Sequence, residues 1–217
     1  LYKKDIGYIK IRSFSKNTSL DLDSALEDLK KEGITKLILD LRNNPGGLLN
    51  QAVEVTDRFL NRENLIVYTK GRSDEQNMRF TSHDKVAGVS YPLIILVNGG
   101  SASASEIVAG ALQDLNRAII LGTPTFGKGS VQTIIPLSDG SALRLTTARY
   151  YTPSGRVIQE NGIEPDIIIA REIPDELDEE ETKESEVKSK LRRFLREKDL
   201  KKHLKGKNSI GDIEEDS

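Results

Sequence analysis

Two short runs carry residue types that can do covalent chemistry. In Asn98-Gly99-Gly100-Ser101-Ala102-Ser103-Ala104-Ser105-Glu106, a turn of small residues joins the apolar run Leu93 to Val97 to a helical pattern over Ser103 to Leu115. Small side chains let a substrate backbone come close, and the start of a helix offers unpaired N–H groups to a developing oxyanion. This is a good place for a nucleophile. The same serines also suit helix capping, because Ser103 followed by Glu106 is the capping-box pattern.

The second run is Thr125-Phe126-Gly127-Lys128-Gly129-Ser130-Val131-Gln132. Read with Gly122 it approaches a phosphate loop. However, Gly129 stands where a magnesium-binding Ser or Thr belongs, and the β-branched stretch that follows, closed by Pro136, is no helix. What is left is a lysine in a tight glycine-flanked bend. Burial there would lower its pKa and let a neutral amine accept a proton, whereas a solvated turn lysine is the plain alternative. A serine nucleophile needs a base. His83 sits in the polar stretch Thr81 to Lys85 and His203 in a charged tail, so a Ser-Lys pair is better supported than a Ser-His pair.

The elements that must position these runs alternate. Ile6 to Phe14 reads as a half-buried strand, followed by a helix through Leu20, Ala25, Leu26 and Leu29 that runs out at Gly33. Lys36 to Leu41 is a buried strand entering the turn Asn43-Asn44-Pro45-Gly46-Gly47, after which Leu48 to Leu60 resumes helical spacing. Leu65 to Thr69, Leu93 to Val97 and Ile119 to Leu121 are further buried strands. Beyond Gly129 the pattern is all strand, at Val131 to Leu137, Ala142 to Tyr151 and Ile167 to Ile169. Repeated strand-helix-strand units imply an α/β fold with right-handed crossovers and a mostly parallel sheet.

The chain of 217 residues, 36% hydrophobic and 30% charged, is enough for one substantial core and a tail. With 32 basic against 34 acidic residues it has no bulk charge for binding nucleic acid or anionic lipid. The lack of cysteine removes thiol nucleophiles, thiolate zinc sites and haem attachment, and leaves the compartment open. No apolar run approaches a membrane span. We place the core at residues 1–170. In residues 171–217 more than half the side chains are charged: an acidic linker from Asp175 to Glu181 precedes Val187, Leu191, Phe194, Leu195 and Leu204 near helical spacing. That pattern suggests an amphipathic helix docked on the core or on a second copy, or a charged surface helix without a partner. Leu1 and the immediate first strand suggest a piece of a longer protein.

Four runs in order, Asp40 to Gly47, Gly100 to Ile107, Thr125 to Gln132 and Tyr150 to Arg156, resemble the carboxyl-terminal-processing, or tail-specific, proteases. The resemblance covers most of residues 5–170. It implies a core akin to the crotonase and Clp protease superfamily, and a serine endopeptidase without metal or cofactor that cuts polypeptides at or near their C-terminal tails. By motif position Ser103 would be the nucleophile, Lys128 the general base, and Gln132 the residue that orients the lysine. The backbone N–H groups of Gly47 and Ala104 would form the oxyanion hole, leaving Ser101 and Ser105 to capping and packing. Family members usually carry a PDZ module before the core, and no segment here matches one.

The resemblance further implies substrates bound as extended strands and a location outside the cytoplasm, in the periplasm, at the cell surface or in a lumen. The tail helix suggests a homo-oligomer contact. Asp114 invites a triad, but along one helix it would lie roughly 16 Å from Ser103. A structural role, paired with Arg117, is expected instead. Arg42 and Asn43 are expected either to position the glycine turn or simply to be solvated. Two rival readings are an inactive tail-binding relative and a crotonase-like acyl-CoA enzyme.

Overall fold

In the computed structural model, which describes residues 5–83, 91–169 and 196–200, five strands form a parallel sheet in the order β1-β2-β5-β6-β9. These are β1 (Ile6–Lys10), β2 (Lys36–Asp40), β5 (Leu93–Val97), β6 (Ile119–Gly122) and β9 (Ile167–Ile168). The central strands form because short runs rich in Ile, Leu and Val can be covered on both faces. Leu37, Leu39, Ile95 and Val97 are buried almost completely.

Helix α1 (Thr18–Lys31) buries Leu22 and Leu26 on one stripe. Asp21 near its start and Lys30 and Lys31 at its end complement its dipole, and Gly33, with φ 80°, follows its C-cap. Helix α2 (Leu49–Asp57) packs against α1 and α3. Helix α3 (Ala104–Asp114) is buried on every side from Ala104 to Leu112, as a helix with apolar or small residues all round must be. Gly110 is required by this packing, since an added Cβ would lie 2.8 Å from both Ile163 and Thr152.

A second sheet, antiparallel, has the order β4-β3-β8-β7, with β3 (Leu65–Gly71), β4 (Arg79–Thr81), β7 (Ser130–Pro136) and β8 (Ala142–Tyr151). Here the structure differs from the strand-helix-strand reading: the buried run at Leu65 pairs with β8, not with the parallel sheet. The first strand is also shorter than expected, and Phe14 makes only an isolated parallel bridge to Gly47. After Gly129 the chain continues as β7, a strand, so the helix a phosphate loop needs is absent there. The hairpin of β7 and β8 exposes Ile134, Ile135, Leu143 and Leu145. Val187, Leu191, Phe194, Leu195 and Leu204, the expected amphipathic helix, lie outside the described residues, as does His203.

Candidate active site

Strands β2, β5 and β6 are neighbours, and the loops leaving their carboxyl ends converge. That is the end at which open parallel sheets bind ligands. The loop after β5 places Ser103 as the N-cap of α3, with φ 55° and ψ −112°, a conformation an L side chain adopts only when its surroundings impose it. The surroundings are visible. Ala102 N–H on one side and the Ser105 hydroxyl on the other both donate to the Asn44 carbonyl, at 3.0 Å each.

The three serines of this loop are not equivalent. Ser101 is fully buried, its hydroxyl donating to Leu41 C=O (2.8 Å) and accepting from Asn98 N–H (3.0 Å). Ser105 is also fully buried and bound to Asn44. Ser103 is half-buried and its hydroxyl makes no capping hydrogen bond. Ser103 and Glu106 face each other as a capping box, in which Glu106 accepts from Ser103 N–H at 2.7 Å, and beyond this pairing the Ser103 hydroxyl is bonded to no other element among the described residues.

The turn after β2 lies directly against this loop. Asn44, fully buried, donates from its amide to Ile11 C=O and accepts from Gly46 N–H, 2.9 Å each. A Cβ on Gly46 (φ 99°) would stand 2.7 Å from Ala102 O, 2.9 Å from Ser103 Cβ and 3.0 Å from Ala104 N, so only glycine fits. The turn thereby sets Gly46 against Ala104, the first residue of α3, whose N–H belongs to the orphan donors of a helix start, while Gly47, the next residue of the turn, packs against the Phe14 backbone. Arg42 and Asn43 position this turn. Arg42 binds Asp40 through two parallel bonds of 2.9 and 2.8 Å, and Asn43 and Asn98 exchange hydrogen bonds between the two loops.

Asp40 is fully buried and also accepts from Tyr8 Oη at 2.5 Å. Burial alone would raise its pKa, but the hydrogen bonds from Arg42 and Tyr8 outweigh it and hold the carboxyl down at about 2.

The loop after β6 carries Lys128, and its anchor is Glu106. This carboxylate is fully buried and accepts four hydrogen bonds, from Thr125 Oγ1 (2.6 Å), Gly127 N–H (2.7 Å), Ser103 N–H (2.7 Å) and Lys128 N–H (2.9 Å). The last two share one oxygen, Oε2, which holds the backbone nitrogens of Ser103 and Lys128 within about 6 Å of each other. Burial pushes the Glu106 pKa up to about 7, against the pull of its four donors.

The side chains behave differently from the backbone. Lys128 is exposed, the plainer of the two alternatives left open by its sequence, and among the described residues no hydrogen bond joins its amine to the Ser103 hydroxyl. Gln132 is likewise exposed, on β7, with no side-chain hydrogen bond to Lys128 among the described residues.

Asp114 ends α3, far from its N-cap, but its partner is not Arg117. It accepts from Ser154 N–H (2.8 Å) and pairs closely with Arg156, fastening the fourth motif to the helix. Arg117 instead donates to Phe59 C=O. His83 takes its contacts from Asp57 and Arg62. Among the described residues no cluster of His, Asp or Glu could hold a metal ion. Glu106 as the shared anchor was missed because its donors lie some 20 residues ahead in sequence and reach it only through the fold. Gly46, the contact residue of the turn, carries a local signal: a Pro-Gly-Gly run after a buried strand.

The sequence profile of peptidase family S41 matches residues 5–169. The carboxy-terminal-processing protease of Bartonella bacilliformis is 50% identical over 207 residues, 94% of this chain and 45% of that protein. The carboxyl-terminal-processing protease of a Synechocystis strain is 45% identical, over 76% of this chain and 38% of its own length. Among solved structures, a photosystem II D1 C-terminal processing protease superposes with a TM-score of 0.69 at 39% identity, covering 76% of this chain and 42% of that one. The chain thus spans less than half the length of each of these relatives. With its three loops converging at the end of a parallel sheet and its profile matched from the first strand to the last, the chain belongs to peptidase family S41.

Proposed function

We propose that the protein is a serine endopeptidase that cuts polypeptides at or near their C-terminal tails, with Ser103 as nucleophile and Lys128 as general base. The single observation that carries this reading is the inequality of the three serines. Ser101 and Ser105 are fully buried with their hydroxyls bonded to neighbouring loops, whereas Ser103 is only half-buried, at a strained strand-to-helix turn, with its hydroxyl bonded to no other loop among the described residues. The backbone link through Glu106 supports Lys128 as its base.

In the proposed reaction Ser103 Oγ attacks the scissile carbonyl carbon while its proton passes to the neutral Lys128 amine. The oxyanion accepts from Gly47 and Ala104 N–H. As the C–N bond breaks, the Lys128 ammonium returns a proton to the departing amine. The Lys128 amine then takes a proton from a water that attacks the ester carbonyl, and its ammonium returns that proton to Ser103 Oγ as the acyl C–O bond breaks and the new C-terminal acid is released. Because Lys128 is exposed in the free protein, the desolvation that favours its neutral form has to come from the substrate. Strand β7, which starts just past Lys128, is the edge of its sheet and offers free main-chain groups on which an extended peptide could lie. Gln132, on the same strand, would orient the amine once it is covered.

The test is hydrolysis of an unstructured polypeptide together with labelling by a serine-directed fluorophosphonate. Ser103→Ala and Lys128→Ala are expected to lose activity by about a thousandfold or more, with labelling confined to Ser103 in the parent. A Lys128→Met protein that digests as fast as the parent overturns the reading. Tail binding without labelling would make the chain an inactive relative.

A further inference from the structure

The loop that carries Lys128 is held from a direction outside the matched family core. Residues 196–200 lie against it, though they are separated from the last core strand by 26 residues outside the described set. Glu197 N–H donates to Phe126 C=O at 2.8 Å, and Arg196 Nε points at Thr125 C=O, 3.5 Å away. The Glu197 carboxylate accepts from the Gln159 side-chain amide (3.3 Å), and the oxygen of that same amide accepts from Gly129 N–H (3.0 Å). Gln159 is fully buried, so both ends of its amide are committed and its orientation is fixed. The segment is itself a closed turn: Arg196 N–H donates to Asp199 Oδ2 (2.8 Å), Asp199 N–H to Arg196 C=O (2.9 Å) and Leu200 N–H to Glu197 C=O (3.1 Å).

The rest of the base loop explains why this contact matters. Phe126 N–H binds Ser101 C=O, Gly127 and Lys128 N–H bind Glu106, Glu160 N–H binds Gly127 C=O, and Tyr150 N–H binds Gly129 C=O. Those anchors come from the core, whereas among the described residues the 196–200 turn holds the loop at Phe126 C=O, at Thr125 C=O and, through Gln159, behind Gly129. Those three lie on both sides of Lys128 in sequence. Since the Lys128 side chain is exposed and unbonded in the described structure, the backbone is what aims it.

We propose that the turn at residues 196–200, with Glu197 at its centre, is a positioning element for the general base: it fixes the loop from which Lys128 reaches Ser103. This rests on the Ser103–Lys128 reading, and Glu197 touches no reacting atom. A mispositioned base lowers the rate of proton transfer more than it lowers substrate binding, so kcat and not KM carries the effect.

The experiment compares Glu197→Pro, Glu197→Ala and Glu197→Gln in the full-length protein. Proline removes both the N–H and the carboxylate, and is tolerated here because Glu197 opens the turn and Arg196 is already extended (φ −107°, ψ 164°). Alanine removes only the carboxylate, and glutamine keeps an acceptor for Gln159. The expected kcat falls in that order of severity, by about tenfold to a hundredfold for proline and least for glutamine, with KM within twofold of the parent. Hydrogen exchange at the Lys128 and Gly129 amides should speed up in the proline protein while its melting temperature stays within a few degrees. A parent labelled at Ser103 whose Glu197→Pro form keeps parental kcat and exchange protection overturns the positioning role alone. A parent with no Ser103-dependent labelling overturns the catalytic reading, and this proposal with it.

Discussion

On the serine side of the site the backbone and the two flanking serine side chains are fixed, whereas on the lysine side the loop backbone is fixed but the Lys128 side chain is not. Ser103 is clamped between two bonds to Asn44, flanked by two buried and committed serines, and pressed by Gly46. The Lys128 loop is bonded at every residue from Thr125 to Gly129, yet the amine stands in solvent. The difference teaches where preorganisation has been built. Oxyanion donors and nucleophile must be in place before substrate arrives, because reorganising dipoles during the reaction adds to the barrier. A base that works as a neutral amine gains from being completed late, when substrate excludes water from around it.

The two sides meet at one carboxylate, and removing it is expected to have the largest effect of any change outside Ser103 and Lys128 themselves. Glu106→Gln replaces an oxygen that accepts two bonds with an NH₂ that can only donate, so donors face donors around a fully buried group. Both loops should shift, and kcat/KM should fall by about a hundredfold or more. Stability gives a second readout with a definite sign. Burial raises the folded pKa of Glu106 from 4.5 to about 7, so between those values the folded state binds more protons than the unfolded state. Its contribution is then fully present below pH 4.5 and is lost as pH rises through about 7. The stability gap between parent and Glu106→Gln should accordingly shrink from pH 4.5 to pH 7. A gap that widens would mean the four donors outweigh burial, and that the carboxylate is a permanent charge.

A pair of glycine substitutions sharpens the contrast between the clamped turn and the exposed hairpin. Gly46 and Gly140 have similar backbones, φ 99° and 85°, so alanine is strained at either. At Gly140, in the turn between β7 and β8, a Cβ would meet nothing within 4 Å, whereas at Gly46 it would meet the Ser103 side chain. Gly140→Ala is expected to cost about 1 kcal/mol of stability and leave activity near parental. Gly46→Ala should cost at least twice that and lower kcat by about a hundredfold, because the strain is relieved by moving Ser103 and Ala104. Equal activity in the two proteins would separate the turn from the chemistry.

How far the site could be read from sequence follows the same division. Leu37 to Leu39 and Leu93 to Val97 announce central strands because only two covered faces accept such runs, and the small-residue loop after β5 announces a turn into a helix. An apolar run does not say that its faces are covered, however. Ile134 and Ile135 follow Lys128 in sequence and are exposed as it is, so the apolar run after the lysine gave no reason to prefer its burial over a solvated turn. The antiparallel sheet was hidden because β3 finds its partner β8 some 80 residues later. Asp114 was matched to Arg117, the nearest basic residue after it in sequence, yet Arg156 reaches it through the Thr152 to Arg156 turn. Local spacing singled out the loops that converge at the candidate site, and non-local bonds decide which of their residues are held.

The smallest expected effect within the site belongs to the outer support of the serine side. Asp40→Asn keeps the shape of a fully buried side chain but loses the charge that draws Arg42 into two parallel bonds and receives Tyr8. Because Arg42 is itself about half exposed, water compensates much of the loss, and about 1–2 kcal/mol of stability is expected, not the larger cost of breaking a fully buried pair. The acid end of the stability profile isolates the contribution. With its folded pKa depressed to about 2 against an ordinary 3.8, Asp40 stabilises the fold fully above pH 3.8 and loses that contribution as pH falls toward 2. Parent and Asp40→Asn melting curves should therefore converge between those values and run parallel at neutral pH. Activity should drop only a fewfold, since Asn44 and Asn98 still tie the glycine turn to the serine loop. A drop as deep as that of Glu106→Gln would mean that the serine side is held from its rim as firmly as from its centre.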